Sequence, residues 1–326
     1  MAHELDFKSN GDAAIAFVGN RSQIWHGLGQ ELTQGASLET WRQQAGMDWE
    51  IKQTQVRFDN GDEMAAFPNQ TVLYRGDTKA PLSQVSGDYK IVQPGEVLEF
   101  FKDMVDGVGM SLETAGVLYG GKRFWALANT NNASEIVKND LVKGMLLLTS
   151  SCDGKMATTA QFTSVRVVCA NTLKVALGAD SGSRVRVTHS RVFDPMDIKS
   201  KMGLLEKSWD TFRIQMQELA KIKVTDTVAS NIYYELVADP KKLAEDQSVS
   251  VGRDVSEMMT RYKRGMGSEL TAGTAWGVLN GLTEFYDYSG RASADSKLWG
   301  SWNGKRGNAK DDGLEAILKK FDLVTV

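Results

Sequence analysis

The sequence predicts an α+β fold: a strand-rich central sheet, one long amphipathic helix, and a helical C-terminal third. Two observations predict it. From about residue 48 to 190 short apolar runs are separated by turn signals such as "DNGDE", "YGGK" and "CDG", which is strand-and-hairpin punctuation. From about residue 202 the apolar residues recur every three or four positions instead, which is helical spacing.

The elements follow in order. "SLETWRQQAG" starts with a capping Ser37, spaces Leu38, Trp41 and Ala45 along one helical face, and stops at Gly46. "WEIKQTQVRF" partly alternates and reads as a strand, Asn60-Gly61 as a tight turn, and "EMAAF" as the returning strand. Val72–Arg75 is a further strand, Gly76-Asp77 a turn, and Tyr89–Gln93 a short extended piece. Pro94 opens a helix with Val97, Leu98, Phe101, Met104 and Val105 on one side. Two strands flank Gly120-Gly121, another ends at Asp153-Gly154, and "MATTAQFTSVRVVCANTLKVAL" reads as a strand feeding a helix near Asn171. "SRVRVTHSRVF" alternates, with Arg184 and Arg186 on one strand face. The long helix is "MGLLEKSWDTFRIQMQELAKIKV", striped by Leu205, Trp209, Phe212, Met216, Leu219 and Ile222. After a break at Pro240 come helices in "DVSEMMTRYKRGMGSE", "TAGTAWGVLNGLTEFYDYSG" and the tail "GLEAILKKFDLV".

The chain has 326 residues, 42% hydrophobic, with a formal charge of -3 and a pI of about 5.8. Charge is unevenly spread: residues 1–100 hold 8 basic and 14 acidic groups, residues 184–223 hold 9 and 5, and residues 253–310 hold 9 and 6. Two mildly basic stretches therefore sit in a weakly acidic chain, which can build a local positive groove or ordinary solvated surface. The start carries acids rather than a basic leader, and no run is long and apolar enough to span a membrane. The expectation is a protein of the cytoplasm that contacts no membrane.

Enzyme signatures fail one by one. The three histidines, His3, His26 and His189, stand far from one another and from Cys152 and Cys169, so neither a metal site nor a cofactor is expected. Cys169 lies among Val167, Val168 and Leu173 and reads as a packed thiol. No phosphate loop or nucleophile elbow is present. Glu284 and Asp287, three apart on one helix, offer the remaining enzymatic reading, a Mg²⁺-dependent nuclease; a salt-bridged helix end uses the same residues. The chain is expected to be no enzyme.

Single-stranded DNA binding has positive support. It requires cations for phosphates and flat apolar groups for bases. Lys122 and Arg123 at a hairpin, Arg184, Arg186 and Arg191 on a strand, and Arg261, Lys263 and Arg264 on a helix supply charge. "SKLWGSWNGKRG" interleaves Trp299 and Trp302 with Lys305 and Arg306; it reads as a contact loop or as tryptophans packed on the core. A phage or host protein partner without nucleic acid is the other reading, favoured by the acidic first hundred residues. A homo-oligomer is expected.

Several phrases carry a resemblance: "QIWHGLGQEL" at 23–32, "AGMDWEI" at 45–51, "AGVLYGGKRFWALA" at 115–128, "SVRVVCANTLKVAL" at 164–177 and "GTAWGVLNGLTEFYDYSGR" at 273–291. They resemble an uncharacterised family of phage and plasmid proteins, domain of unknown function 932. The resemblance implies one family domain over 23–310, between an extension at 1–22 and a terminal helix at 311–326. It also implies a phage or mobile-element origin. It marks Trp25, His26, Cys169, Asn171, Trp276 and Asn280 as structural or contact positions and supplies no catalytic residues. The family shows His where this chain has Tyr288. The phage context suggests, at the level of analogy, Rad52-like single-strand annealing proteins acting in replication or recombination.

Overall fold

A computed structural model describes residues 6–8, 10–19, 29–166, 172–174, 184–194, 196, 205–238, 251–292 and 294–323. The fold is α+β. An eight-stranded mixed sheet runs in the order β10-β9-β8-β7-β6-β1-β2, with β11 also pairing β9. Its strands are β1 (Ile15–Val18), β2 (Gln30–Leu32), β6 (Ser111–Leu118), β7 (Arg123–Val137), β8 (Asp140–Ser151), β9 (Thr158–Arg166), β10 (Thr172–Lys174) and β11 (Arg184–Val187). A separate three-stranded sheet joins β3 (Ile51–Asp59), β4 (Met64–Arg75) and β5 (Pro81–Ser86). The described helices are α1 (Leu38–Gln44), α2 (Pro94–Val108), α3 (Leu205–Lys221), α4 (Asp226–Val237), α5 (Val251–Arg264), α6 (Ala275–Tyr288), α7 (Ala294–Asn303) and α8 (Lys305–Lys320).

Two compact units divide the chain. The first comprises Met1–Asn131, Met145–Phe162 and Arg184–Gly203; the second comprises Asn132–Gly144, Thr163–Ser183 and Leu204–Val326. β7, β8 and β9 thus each supply residues to both.

In the first unit α1 is capped by Ser37, whose Oγ accepts from the Thr40 N–H at 3.1 Å, and ends at Gly46 in the left-handed region. A Cβ at Gly46 would strike Ala14 of the β1 approach, so only glycine fits both demands. β1 pairs antiparallel with β6 and parallel with β2. Ile15–Val18 are therefore part of the sheet. Ile15, Phe17, Val97, Phe100, Phe101, Phe124 and Trp125 are buried in this unit.

Three expectations change here. β4 is one strand through Pro68 and Asn69, not two, because its partner β3 is long enough to pair both halves. Pro81–Ser86 forms an additional strand, β5, on β4, and Tyr89–Gln93 carries no strand ladder. Thr172–Lys174 is strand β10 rather than the start of a helix, paired antiparallel with Thr163–Val165.

In the second unit α6 is the central helix. Every residue from Ala275 to Glu284 is buried, as expected of a helix with neighbours all round. Its glycines admit those neighbours. A Cβ at Gly281 would sit 2.9 Å from the Tyr262 backbone nitrogen, and one at Gly277 would strike the Thr271 carbonyl. α5 and α6 pack through these positions, and Leu282 fills the space over Gly313 of α8. The long helix α3 buries Trp209, Phe212, Met216 and Leu219, as its stripe predicts.

Candidate nucleic-acid interface

α5 presents the clearest basic surface. Its sequence, VGRDVSEMMTRYKR, buries Met258 and Tyr262 on one side. Arg253, Glu257, Thr260, Arg261 and Arg264 recur at helical spacing on another, and together with Ser256, Gly265, Met266 and Glu284 they line an open cleft of about 740 Å³. The last turn carries Arg261, Lys263 and Arg264, where cations complement the helix C-terminus.

The three cleft arginines are held differently. Arg261 donates from Nη1 to Glu284 Oε1 at 2.9 Å, and its Nη2 lies 3.7 Å from Glu257. Glu284 is buried, and a Cβ at Gly265 would collide with its carboxylate, so the glycine is what lets Glu284 reach under the helix end. Among the described residues Arg253 pairs only with adjacent Asp254, at 3.2 Å, and it remains exposed. No hydrogen bond or ion pair holds the exposed Arg264 side chain among the described residues. Met266, 49% exposed, adds apolar surface beside it.

A buried network fixes the turn that closes the cleft. Asp140, fully buried on β8, accepts from Arg166 Nε at 2.6 Å and from Trp276 Nε1 at 2.8 Å. Arg166 also donates to the carbonyls of Met266 and Gly267, at 3.2 and 2.9 Å. Two strands and α6 therefore clamp the residues that follow α5. Asn280 donates to the Trp276 carbonyl at 2.9 Å. Trp276 and Asn280 are thus both buried and joined to this network by hydrogen bonds.

The other expected residues scatter. Lys263 pairs with Asp226 at 2.6 Å. Trp299 and Trp302 lie on α7, 6% and 4% exposed. The segment is helical from Ala294 to Asn303 and both rings are buried, which is the packed arrangement that the sequence left open beside a contact loop. Lys305 is exposed at the start of α8. Arg306 donates to the Tyr286 carbonyl at 2.6 Å, and burial pulls its pKa down.

Lys122, Arg123, Arg184, Arg186 and Arg191 belong to the first unit. Arg123 donates to Asp153 Oδ2 at 3.3 Å and lies over the Tyr119 ring. Lys122 and Arg184 are half-buried, while Arg186 and Arg191 are exposed and their side chains carry no hydrogen bond or ion pair among the described residues. Nearby chemistry is closed rather than reactive. Burial, then the Asp153 charge, pushes the Cys152 thiol up to about 12. His189 stacks on Tyr89 with ring centres 4.5 Å apart, and burial lowers its pKa. Trp25, His26, Cys169 and Asn171 lie outside the described residues.

Glu284 and Asp287 are divided between cations. Glu284 binds Arg261, whereas Asp287 accepts from the buried Lys310 at 2.6 Å and from Ser301. Among the described residues no group of three or more His, Cys, Asp or Glu is gathered to hold a metal, which leaves the nuclease reading without a ligand set there. Nor is any helix among them long and apolar enough to cross a membrane.

Sequence reasoning missed Arg253 and the Asp140–Arg166 pair. The first was legible as a 253, 257, 260, 264 stripe; the second joins residues 26 apart and had no local signal.

Residues 81–311 match the family described as Domain of unknown function (DUF932). No curated protein and no solved structure matches the chain. The chain belongs to the DUF932 family.

Proposed function

We propose that this DUF932 protein binds single-stranded DNA through its phosphates, with the α5 cleft as the contact. One observation carries the reading: Arg253, Arg261 and Arg264 line a single open cleft, and two of them, Arg253 and Arg264, are exposed to solvent. Arginine forks match phosphate oxygens in geometry as well as charge. Glu257 and Glu284 hold Arg261 in place, so its remaining N–H groups are oriented before a strand arrives. Met266 supplies apolar surface for a base, a role the buried tryptophans cannot fill. Phosphate contacts fix position and carry no sequence information, so binding is general for sequence. The two cleft carboxylates and the overall negative charge temper affinity, and annealing in phage replication or recombination would use a strand held this loosely.

Fluorescence anisotropy of a labelled single-stranded oligomer, with matched duplex beside it, tests the reading at two salt concentrations. Binding is expected to weaken with salt through counterion release. In R253A/R264A it weakens for every sequence, and the salt slope falls by about one for each phosphate that no longer meets an arginine. Unchanged affinity in that variant, or no binding at low salt, overturns the proposal.

A further inference from the structure

The β3–β4 hairpin is longer than the sheet that supports it. β5 pairs with β4 only over Gln70–Tyr74. Beyond that, Met64–Asn69 and the end of β3 form a two-stranded arm of about 20 Å. Such an isolated ribbon is marginally stable in water without something packed on it.

The arm carries the surface that a partner would cover. Phe58 lies opposite Ala65, and Phe67 falls two residues further along the same face. The two rings meet edge to face with centres 6.1 Å apart, yet are 46% and 47% exposed. Met64 at the tip is 57% exposed. Edge pairing is blocked locally: Pro68 has no N–H, Asn69 has a φ of 52°, and the register shifts between Gln55 and Arg57. The apolar face, rather than the edge, is what the arm offers.

Charge selects the occupant. The tip reads Asp59-Asn60-Gly61-Asp62-Glu63. Asp62 and Glu63 are exposed, and their side chains pair with nothing among the described residues. These carboxylates repel nucleic acid and anionic lipid alike, so the fitting partner is an apolar protein surface rimmed by cations. In the same unit Val192 is 73% exposed and Met196 67%; they share one stretch of chain with the exposed Arg191 and with Asp194, whose Oδ1 accepts from the Met196 N–H, and Arg186 and Arg191 are exposed and unpaired among the described residues.

We propose that the arm of one copy docks on the Arg186–Arg191–Val192 surface of a second copy. Phe58 and Phe67 cover Val192 and Met196, while Asp62 and Glu63 meet the two arginines. Arm and acceptor are different surfaces, so the contact is exchanged reciprocally in a dimer or repeats around a ring or filament. A contact made by four apolar side chains and four charges is small beside a standard interface of about 1,600 Å², so each contact is reversible and concentration-dependent.

Sedimentation velocity of the full chain over a concentration series tests this without DNA, independently of the α5 cleft. The wild type is expected to self-associate, and F58S/F67S to do so at least roughly ten-fold more weakly. D62K/E63K and R186E/R191E each weaken association. Their equimolar mixture regains it, because the arm of each variant then meets an acceptor of opposite charge on the other; that recovery also shows both variants to be folded. A wild type that stays monomeric at every concentration, association indifferent to F58S/F67S, or a mixture that does not recover would each overturn the proposal.

Discussion

Asp140 and Arg166 show how much of this protein rests on single polar pairs. Both are buried, Asp140 completely, and each is satisfied by more than the other: Asp140 by Trp276, Arg166 by two carbonyls after α5. A buried pair need not stabilise more than apolar residues of equal size, but removing one partner strands the other's charge. D140A is therefore expected to lower unfolding free energy by about 3–5 kcal/mol, measured by chemical denaturation. D140L/R166M should recover much of it, since no charge is then left buried. A D140A chain as stable as wild type would show that water or rearrangement satisfies Arg166, and would remove the clamp from the account of the cleft. Sequence could not show this pair, because Arg166 sits in an apolar run and its partner belongs to another strand. The α5 arginines were different: Arg261 and Arg264 stood out as a cluster, and only Arg253, further back on the same stripe, was overlooked.

Helix α6 makes the same point at the level of an element. Its apolar periodicity announced a helix, and the sequence predicted where it lies. What periodicity did not announce was burial on every side, which depends on Gly277 and Gly281 letting α5 approach. G281A places a methyl group against the Tyr262 backbone and the Tyr233 hydroxyl, and neither can rotate away as the end of a flexible side chain would. The helices must separate, at a cost of about 1–3 kcal/mol. Gly252, in the first turn of α5, has nothing within 4 Å of where a Cβ would stand. G252A should instead stabilise by about 0.4–1 kcal/mol by restricting the unfolded chain. Thermal melts of the two variants should move in opposite directions; a G281A melt at or above wild type would mean that α5 and α6 are not in close contact. The α7 segment stayed open between two readings for a related reason. Gly300, Gly304 and interleaved lysines imitate a loop, while Trp299 and Trp302, three apart, are also what one buried helical face requires.

At the scale of the whole molecule, the boundaries of the family match and those of folding differ. The match covers 81–311, but β6 within it pairs with Ile15–Phe17 of β1 outside it, and β5 pairs with β4, which ends at Arg75. At the other end the match stops inside α8, before Leu314, Ile317 and Leu318, all buried. The alternation of strands and turns made the central sheet legible; the place of β1 in it was not, because a four-residue strand is defined by its partners rather than by its own pattern. A chain cut to residues 81–311 would expose the β6 edge, leave β5 without its ladder, and uncover the face of α6 that α8 protects. Exposed edges beside apolar surface favour association. The truncated chain is expected to aggregate or to bind a hydrophobic dye without a cooperative melt, whereas the full chain melts cooperatively. A monomeric 81–311 chain with a sharp thermal transition would show that β1 to β4 and the end of α8 are additions to an independent fold. The observed pairing argues the reverse: residues outside the family match complete the sheet in the first unit and the packing of α8 on α6 in the second.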